Sequence, residues 1–381
     1  MNAYRQFVSL FLILALASLA FAQTVVINGK AVPITTLVQK GKPMVDALAL
    51  LKALGLNATW DAKAQKLVIV TSAGAGPGSG AVQMPGEWGA FGVSYQLGDV
   101  EPIIFNLLSA EFTAARVSFG DTAIVPAANE KLLVLHYTLQ NMLPRDTYVG
   151  FNSLRFVAVD IGNENREFVG IVGQEENRSK LDLYLKQSQK VPVYTVIKVP
   201  AVGVVPKLIV QPPDGKVLRF DLRGKAAPLP PPIADPTDAA GATAREQVPA
   251  PAGQYYPLGR LDVQFVGGEY SPRPIGELAP GDDKRFLIVT VKLRNGAPVE
   301  IPLDWQLFNI TLQTAAERDL EWSGMLLHEK HNEPVELTLK PGEETTLRTF
   351  VELPEDDAGA TLSIQEKENS RTYLFDMRNV K

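Results

Sequence analysis

The chain has no cysteine and only three histidines among its 381 residues. The missing cysteines exclude disulfides, thiol nucleophiles, thiolate metal sites and a lipid-modified N-terminal cysteine. Small exported domains often lean on disulfides, but domains of ~130 residues bury enough apolar surface to fold without them. Positive charge is nowhere concentrated: 37 Lys and Arg stand against 42 Asp and Glu, for a formal net charge of −5. That is a poor match to nucleic acid or to an anionic membrane surface. Long apolar runs are also missing, apart from Phe7 to Leu19, which follows Arg5 and precedes Ala20-Phe21-Ala22. Basic start, apolar run and A-x-A site make residues 1–22 a cleaved secretory signal. The run is short of the ~20 residues that a span needs, so an uncleaved anchor is the second reading. The expectation is a secreted, extracytoplasmic protein of the cell envelope or periplasm, with no membrane span after cleavage.

What is present is a duplication. The stretch FTAARVSFGDTAIVPAANEKLLVLHYTLQN from Phe112 aligns with FVGGEYSPRPIGELAPGDDKRFLIVTVKLRN from Phe265. LDLYLKQSQKVPVYTVIKVP from Leu181 aligns with VELTLKPGEETTLRTFVELP from Val335, LIVQ from Leu208 with LSIQ from Leu362, and RFDLR with LFDMR at Arg223 and Arg378. Both copies alternate with period two. Leu133, Leu135, Tyr137 and Leu139 give one greasy face, as do Leu287, Val289, Val291 and Leu293. Half-buried strands broken by Pro/Gly/Asp turns every few residues favour a sandwich over a helical fold. The aromatic pairs Phe112/Phe265, Phe151/Trp305, Phe168/Trp322 and Phe220/Phe375 are assigned to the two cores, with a ligand-stacking surface as the other possibility.

The expected layout is a signal at 1–22, a small α+β domain at 24–72 and a Gly-rich linker at 73–87. A first sandwich at 88–224, a Pro-rich linker at 225–252 and a second sandwich at 253–381 follow. In the small domain, Asn28-Gly29 marks a hairpin, the three-residue spacing of Val45, Leu48, Leu51 and Leu54 before Gly55 marks a helix, and NATW and KLVIVT are strands joined at Asp61-Ala62-Lys63. The Pro-rich stretch with Pro230-Pro231-Pro232 reads as an extended, semi-rigid spacer, so the two sandwiches are expected to move independently.

The pattern VVINGKAVPI, then KPMVDALALLKALGLNATWDAKAQKLVIV, resembles the N-terminal stalk domain of copper amine oxidases, which bacteria reuse in exported proteins. Lys40-Gly41-Lys42-Pro43 stands where that family has an NGR-like loop. The resemblance implies export and not oxidase chemistry. The oxidase site uses three copper histidines and an Asn-Tyr motif, and this chain has no Asn-Tyr dipeptide. LKPGEETTLRTFVELP resembles the strand–turn–strand ending of immunoglobulin-like domains of bacterial secreted proteins. The fold class is therefore mainly β: a stalk-like domain followed by two tandem immunoglobulin-like β-sandwiches.

Candidate chemistry is sparse. His328 and His331 are the single close histidine pair and the weak candidate metal ligands. Three residues apart, they share a face on a helix but diverge in the strand end and loop expected here. The matching positions of the first copy are Gln174 and Asn177. His136 falls on the outward face of its strand. Asp282-Asp283 and Glu355-Asp356-Asp357 are adjacent acids, unlike the alternating carboxylates of a calcium loop, and read as solvated turns. Asp235 to Asp238 lacks that loop pattern as well. Gly-rich residues 74–80 are not followed by Gly-Lys-Ser/Thr, and no G-x-S-x-G elbow occurs. No catalytic residue and no cofactor are expected. The leading reading is a non-enzymatic exported envelope protein, a binding or structural module whose partner is an envelope protein, cell-wall glycan or another copy of itself. The alternative is a secreted immunoglobulin-like protease inhibitor, with residues 314–333 as its loop, because DLEWSG followed by LTLKPGEET resembles such inhibitors. An enzyme or metal carrier is the third class.

Overall fold

The computed structural model describes residues 86–367 and 370–380 in full and, ahead of them, only the strand backbones between residues 25 and 70. The expected signal, the expected helix beyond Val45 and the Gly-rich stretch 74–80 lie outside the described residues. The chain divides into two compact units, 1–83 and 84–381.

In the first unit β1 (Val25–Ile27) and β2 (Lys30–Val32) pair around Asn28-Gly29, as the two-residue turn signal requires. A second hairpin was not expected: β3 (Thr36–Gln39) pairs with β4 (Lys42–Val45). Lys42 and Pro43, read as loop, and Val45, read as the start of a helix, are therefore strand residues. β5 (Asn57–Asp61) and β6 (Lys66–Val70) form the third hairpin.

The second unit is almost wholly β. Its first half holds β7 (Gly86–Trp88), β8 (Tyr95–Leu97), β9 (Ile103–Thr113), β10 (Val117–Phe119), β11 (Thr122–Ile124), β12 (Glu130–Asn141), β13 (Thr147–Gly150), β14 (Arg155–Val159), β15 (Asn165–Gln174), β16 (Asp182–Leu185), β17 (Lys190–Pro200), β18 (Lys207–Gln211) and β19 (Val217–Asp221). Between the halves lie β20 (Ala226–Ala227) and β21 (Gln247–Pro249). The second half holds β22 (Tyr256–Leu258), β23 (Leu261–Ser271), β24 (Lys284–Asn295), β25 (Ile301–Leu303), β26 (Phe308–Thr314), β27 (Asp319–Glu321), β28 (Leu327–His328), β29 (Leu337–Leu339), β30 (Glu344–Pro354), β31 (Gly359–Glu366) and β32 (Thr372–Asp376).

Each half is a two-layer sandwich of the same design. One layer runs β9-β12-β17 in the first copy and β23-β24-β30 in the second; the other runs β14-β18-β19-β7 and β26-β31-β32-β21. The inward faces carry the expected alternation, with Leu133, Leu135, Tyr137 and Leu139 buried in one copy and Leu287, Val289, Val291 and Leu293 in the other. The outward faces are partly covered too. Phe119 on the β10–β11 hairpin packs with Val134, Tyr194 and Val196. Ile275 packs with Phe286, Ile288 and Phe350.

Strand pairing corrects one stretch of the sequence alignment. Leu133 pairs with Phe112, whereas Leu287 pairs with Tyr270. Phe112 therefore corresponds to Tyr270, and the spatial counterpart of Phe265 is Leu107. Each first strand carries a bulge, at Leu108 and at Val266, and both bulged side chains are exposed. The first copy has the longer loop after this strand, and β10–β11 occupies it.

In both copies a chain segment crosses from one layer to the other at a glycine. β15 pairs with β14 through Asn165–Glu167 and with β17 from Phe168 onward. Its second-copy counterpart is split into β27, on β26, and β28, on β30. Gly170 (φ +71°) and Gly324 (φ +69°) sit at the crossing, in a backbone region that a side chain disfavours.

The segment 225–252 is not a spacer. β20 pairs with β9 and β21 with β32, and Leu229, Ile233, Ala242, Ala244, Val248 and Ala250 are buried. Asp238 holds the turn, accepting from the amides of Ala240 (2.9 Å), Ala242 (3.0 Å) and Thr243 (2.7 Å). Lys131, fully buried, donates to the carbonyls of Ala201 (3.0 Å), Gly203 (2.6 Å) and Ala242. Burial pushes its ammonium down to about 8.

The two sandwiches are locked together, contrary to the expectation of independent motion. Arg116 of the first copy pairs with buried Asp262 of the second at 2.8 Å and donates to the carbonyls of Leu261 (3.1 Å) and Gly259 (3.4 Å). A Cβ at Gly296 would lie 1.2 Å from its guanidinium. Arg371 reaches back to the carbonyls of Glu130 and Arg245.

Candidate binding groove

The residues that the two copies share at matching, polar positions hold backbone. Asn141 and Asn295 are fully buried. The Asn141 amide donates to the carbonyls of Arg145 (2.7 Å) and Leu185 (2.8 Å), and the Asn295 amide donates to those of Val299 (2.7 Å) and Leu339 (2.8 Å). Each side-chain oxygen accepts an amide two residues on. Each asparagine thus ties its long strand to a small ribbon, β13–β16 in the first copy and β25–β29 in the second. The pairs Asp221/Arg223 and Asp376/Arg378 are likewise repeated. The guanidinium of Arg378 holds the Asp376 carboxyl down to about 2.

A groove of about 700 Å³ runs along the ribbon of the second sandwich. Its walls are Pro302 to Trp305 on one side, Gly324 to Leu326 on another, and Pro334 to Thr338 along the floor. Asp304 caps the short 3₁₀ turn Trp305–Leu307 by accepting from the amide of Gln306 at 2.8 Å. The turn leaves Trp305 48% exposed. Lys367 lies over the indole, 5.3 Å from the ring centroid. Asp304 and Glu336 are the ionisable groups of the lining, and both are acidic. A smaller cavity of about 330 Å³ borders Tyr148 of the first ribbon, between Val100 and Pro213.

Trp305 and Phe151 correct the assignment of the aromatic pairs. Phe220 and Phe375 are fully buried, Phe112 and Phe265 nearly so, and Phe168 and Trp322 pack against the core. Phe151 is 55% exposed and Trp305 nearly as open. Strand parity after Ile301 and Leu303 would bury position 305; the Asp304-capped turn breaks that parity. A cap residue directly after a three-residue strand is the clue that the sequence offered.

The sequence-derived candidates fall elsewhere. His328 ends β28 and His331 is exposed in the following bend. Arg348 orders this bend by donating to the carbonyls of His328 (3.1 Å) and His331 (3.1 Å) and to the Asn332 side chain (2.9 Å). No group of three or more His, Asp or Glu among the described residues could hold a metal ion. His136 is only half-buried on the outward face, between Glu175 (2.5 Å) and Glu111 (3.5 Å). Asp282 and Asp283 are exposed, as are Glu355 and Asp356, but Asp357 is buried and not a solvated tip. Within 314–333, Trp322 packs on the core and Ser323 donates its amide to Phe350. Among the described residues no helix is long and apolar enough to cross a membrane.

No family model matches the chain. No curated protein matches it either. Among solved structures, the chain is similar to an uncharacterized β-sandwich protein from Clostridium difficile (14% identity, TM-score 0.28), over 36% of this chain and 99% of that one. It is similar to the secreted protein MPT63 of Mycobacterium tuberculosis (10% identity, TM-score 0.27), over 36% and 97%. It is also similar to the yjhA protein of Bacillus subtilis (16% identity, TM-score 0.22), over 33% and 98%. Each likeness extends over about one sandwich's length and transfers no activity.

Proposed function

We propose that this protein is a non-enzymatic, exported component of the cell envelope that binds a partner through its tandem sandwiches. Its N-terminal unit serves as a stalk-like module behind a cleaved signal. The observation that carries this reading is the groove beside Trp305: an exposed aromatic and two carboxylates on a ribbon that Asn295 fixes rigidly. An open groove that places a few polar groups beside an aromatic offers the contacts that a binding site uses. The polar groups repeated between copies hold backbone, which favours a scaffold over a catalyst.

Sedimentation of the mature chain with isolated bacterial envelopes tests the proposal. Retention, with no turnover in a broad hydrolase and oxidoreductase screen, is expected. Chain left wholly in the supernatant, or turnover of any substrate, would defeat it. Protease treatment of the envelopes separates a protein partner from a glycan.

A further inference from the structure

The two copies differ at the ribbon in a way that opens one groove. On β13–β16, Tyr148 lies opposite Tyr184, with ring centroids 5.5 Å apart. The Tyr148 phenol is pushed up by desolvation and then by the neighbouring Asp182 carboxylate. On β25–β29, Pro302 lies opposite Thr338 at the equivalent positions. Much of the local frame is kept, although Gly150 stands where the second copy has Asp304. Gly170 and Gly324 share their positive φ. Leu181 donates its amide to Val172 at 2.7 Å as Val335 does to Leu326 at 2.9 Å. Phe151 and Trp305 are both exposed, and Asp182 matches Glu336. Two tyrosines thus cover the first ribbon, with its acid beside them. A proline and a threonine in their place leave the second ribbon bare, with Glu336 lining the space.

From this contrast we infer that the groove of the second sandwich is a glycan-binding site, and that the first sandwich carries the same site filled by its own side chains. The inference rests on the binding reading above. A sugar ring has an apolar face and a rim of hydroxyls. Trp305 offers an aromatic surface for the face. The carboxylates of Asp304 and Glu336 are strong acceptors for hydroxyls, and Thr338 adds a hydroxyl of its own. The lining residues themselves include no Lys, Arg or His, and the cation against the aromatic is Lys367, over the Trp305 indole. The groove is open and about 700 Å³ in volume, a size in the range of small-molecule sites.

The test refills the groove with the first copy's residues. Full-length mature protein and its P302Y/T338Y variant are titrated with the β-1,4-linked tetramers of glucose and of N-acetylglucosamine, and with an extended peptide library, by calorimetry. A Cβ at Gly150 would lie 2.5 Å from the Tyr148 hydroxyl, and Asp304 stands at that position in the second copy, so the tyrosine introduced by P302Y must take another rotamer; circular dichroism and melting temperature check that the variant folds. Trp305→Ala is the second variant. The expected result is binding of at least one tetramer by the wild type, weakened tenfold or more in both variants. No binding of either tetramer, binding that the variants retain, or binding of peptides alone would overturn the glycan assignment. If the variants keep wild-type retention on envelopes, the protein binds there through another surface, and the groove assignment fails while the envelope reading stands.

Discussion

Replacing Arg116 by alanine tests whether the sandwiches act as one body. Its guanidinium pairs with Asp262 at 2.8 Å and donates to two carbonyls of the second copy. Breaking one side of a buried ion pair costs about 3–5 kcal/mol when the remaining charge is left alone. Here Arg294 still donates to Asp262 from Nε (3.0 Å) and Nη2 (2.8 Å), so the carboxylate keeps a partner. The expected loss is therefore about 2–3 kcal/mol, mostly from the two carbonyls and the lost charge-assisted bond. Gly296→Ala attacks the same contact from the other side, because its Cβ would overlap the guanidinium. The two variants should couple strongly: once Arg116 is gone, a methyl at 296 has room, and the double variant should be no worse than Arg116→Ala alone. Urea unfolding followed by tryptophan fluorescence reads all three, with a single transition in the wild type. A loss under about 0.5 kcal/mol for Arg116→Ala, together with a neutral Gly296→Ala, would show that the sandwiches are not docked through this contact.

Three further outcomes are expected. The Lys131 ammonium lies lower in the folded protein, at about 8, than its ordinary 10.5, so between those values the unfolded chain binds more protons and stability rises with pH. The gain is complete above about 10.5 and is lost as pH falls through about 8, and denaturant midpoints between pH 7 and 9.5 should rise in the wild type but stay flat in Lys131→Met. Asn141→Ala and Asn295→Ala should each cost about 2–4 kcal/mol in thermal or urea unfolding, because each strips donors from two carbonyls, with Asn141→Ala the costlier since the Thr147 hydroxyl also donates to it; a near-neutral result for either would contradict the shared role. Ser188 (φ +62°) occupies the turn position that Gly342 (φ +77°) holds in the second copy. Ser188→Gly should therefore stabilise by up to about 1 kcal/mol and Gly342→Ser destabilise by a similar amount, read from melting temperatures.

Much of this architecture was legible in the sequence. The period-two runs at 130–140 and 284–294 become the central strands with the expected inward faces, since alternation is a local property that burial on one side imposes. The Asn28-Gly29 hairpin was legible for the same local reason. The groove was not. It depends on which side chains face each other across β25 and β29, which does not follow from residues near in sequence; only the turn that shifts the parity of Trp305 had a local signal, in Asp304.

By itself the sequence determined the duplication, the β class and the inward faces of the central strands, because repeats and alternation are written along the chain; the buried residues of both copies then join in one continuous cluster. Tertiary structure alone decided that residues 225–252 fold into both sandwiches, that Arg116 locks the copies into one unit, and that one ribbon is covered where the other is open. The first two outcomes come from contacts between residues more than a hundred positions apart, such as Arg116 with Asp262 and Arg371 with Glu130. Burial and charge pairing at such separations exist only once the chain has closed on itself.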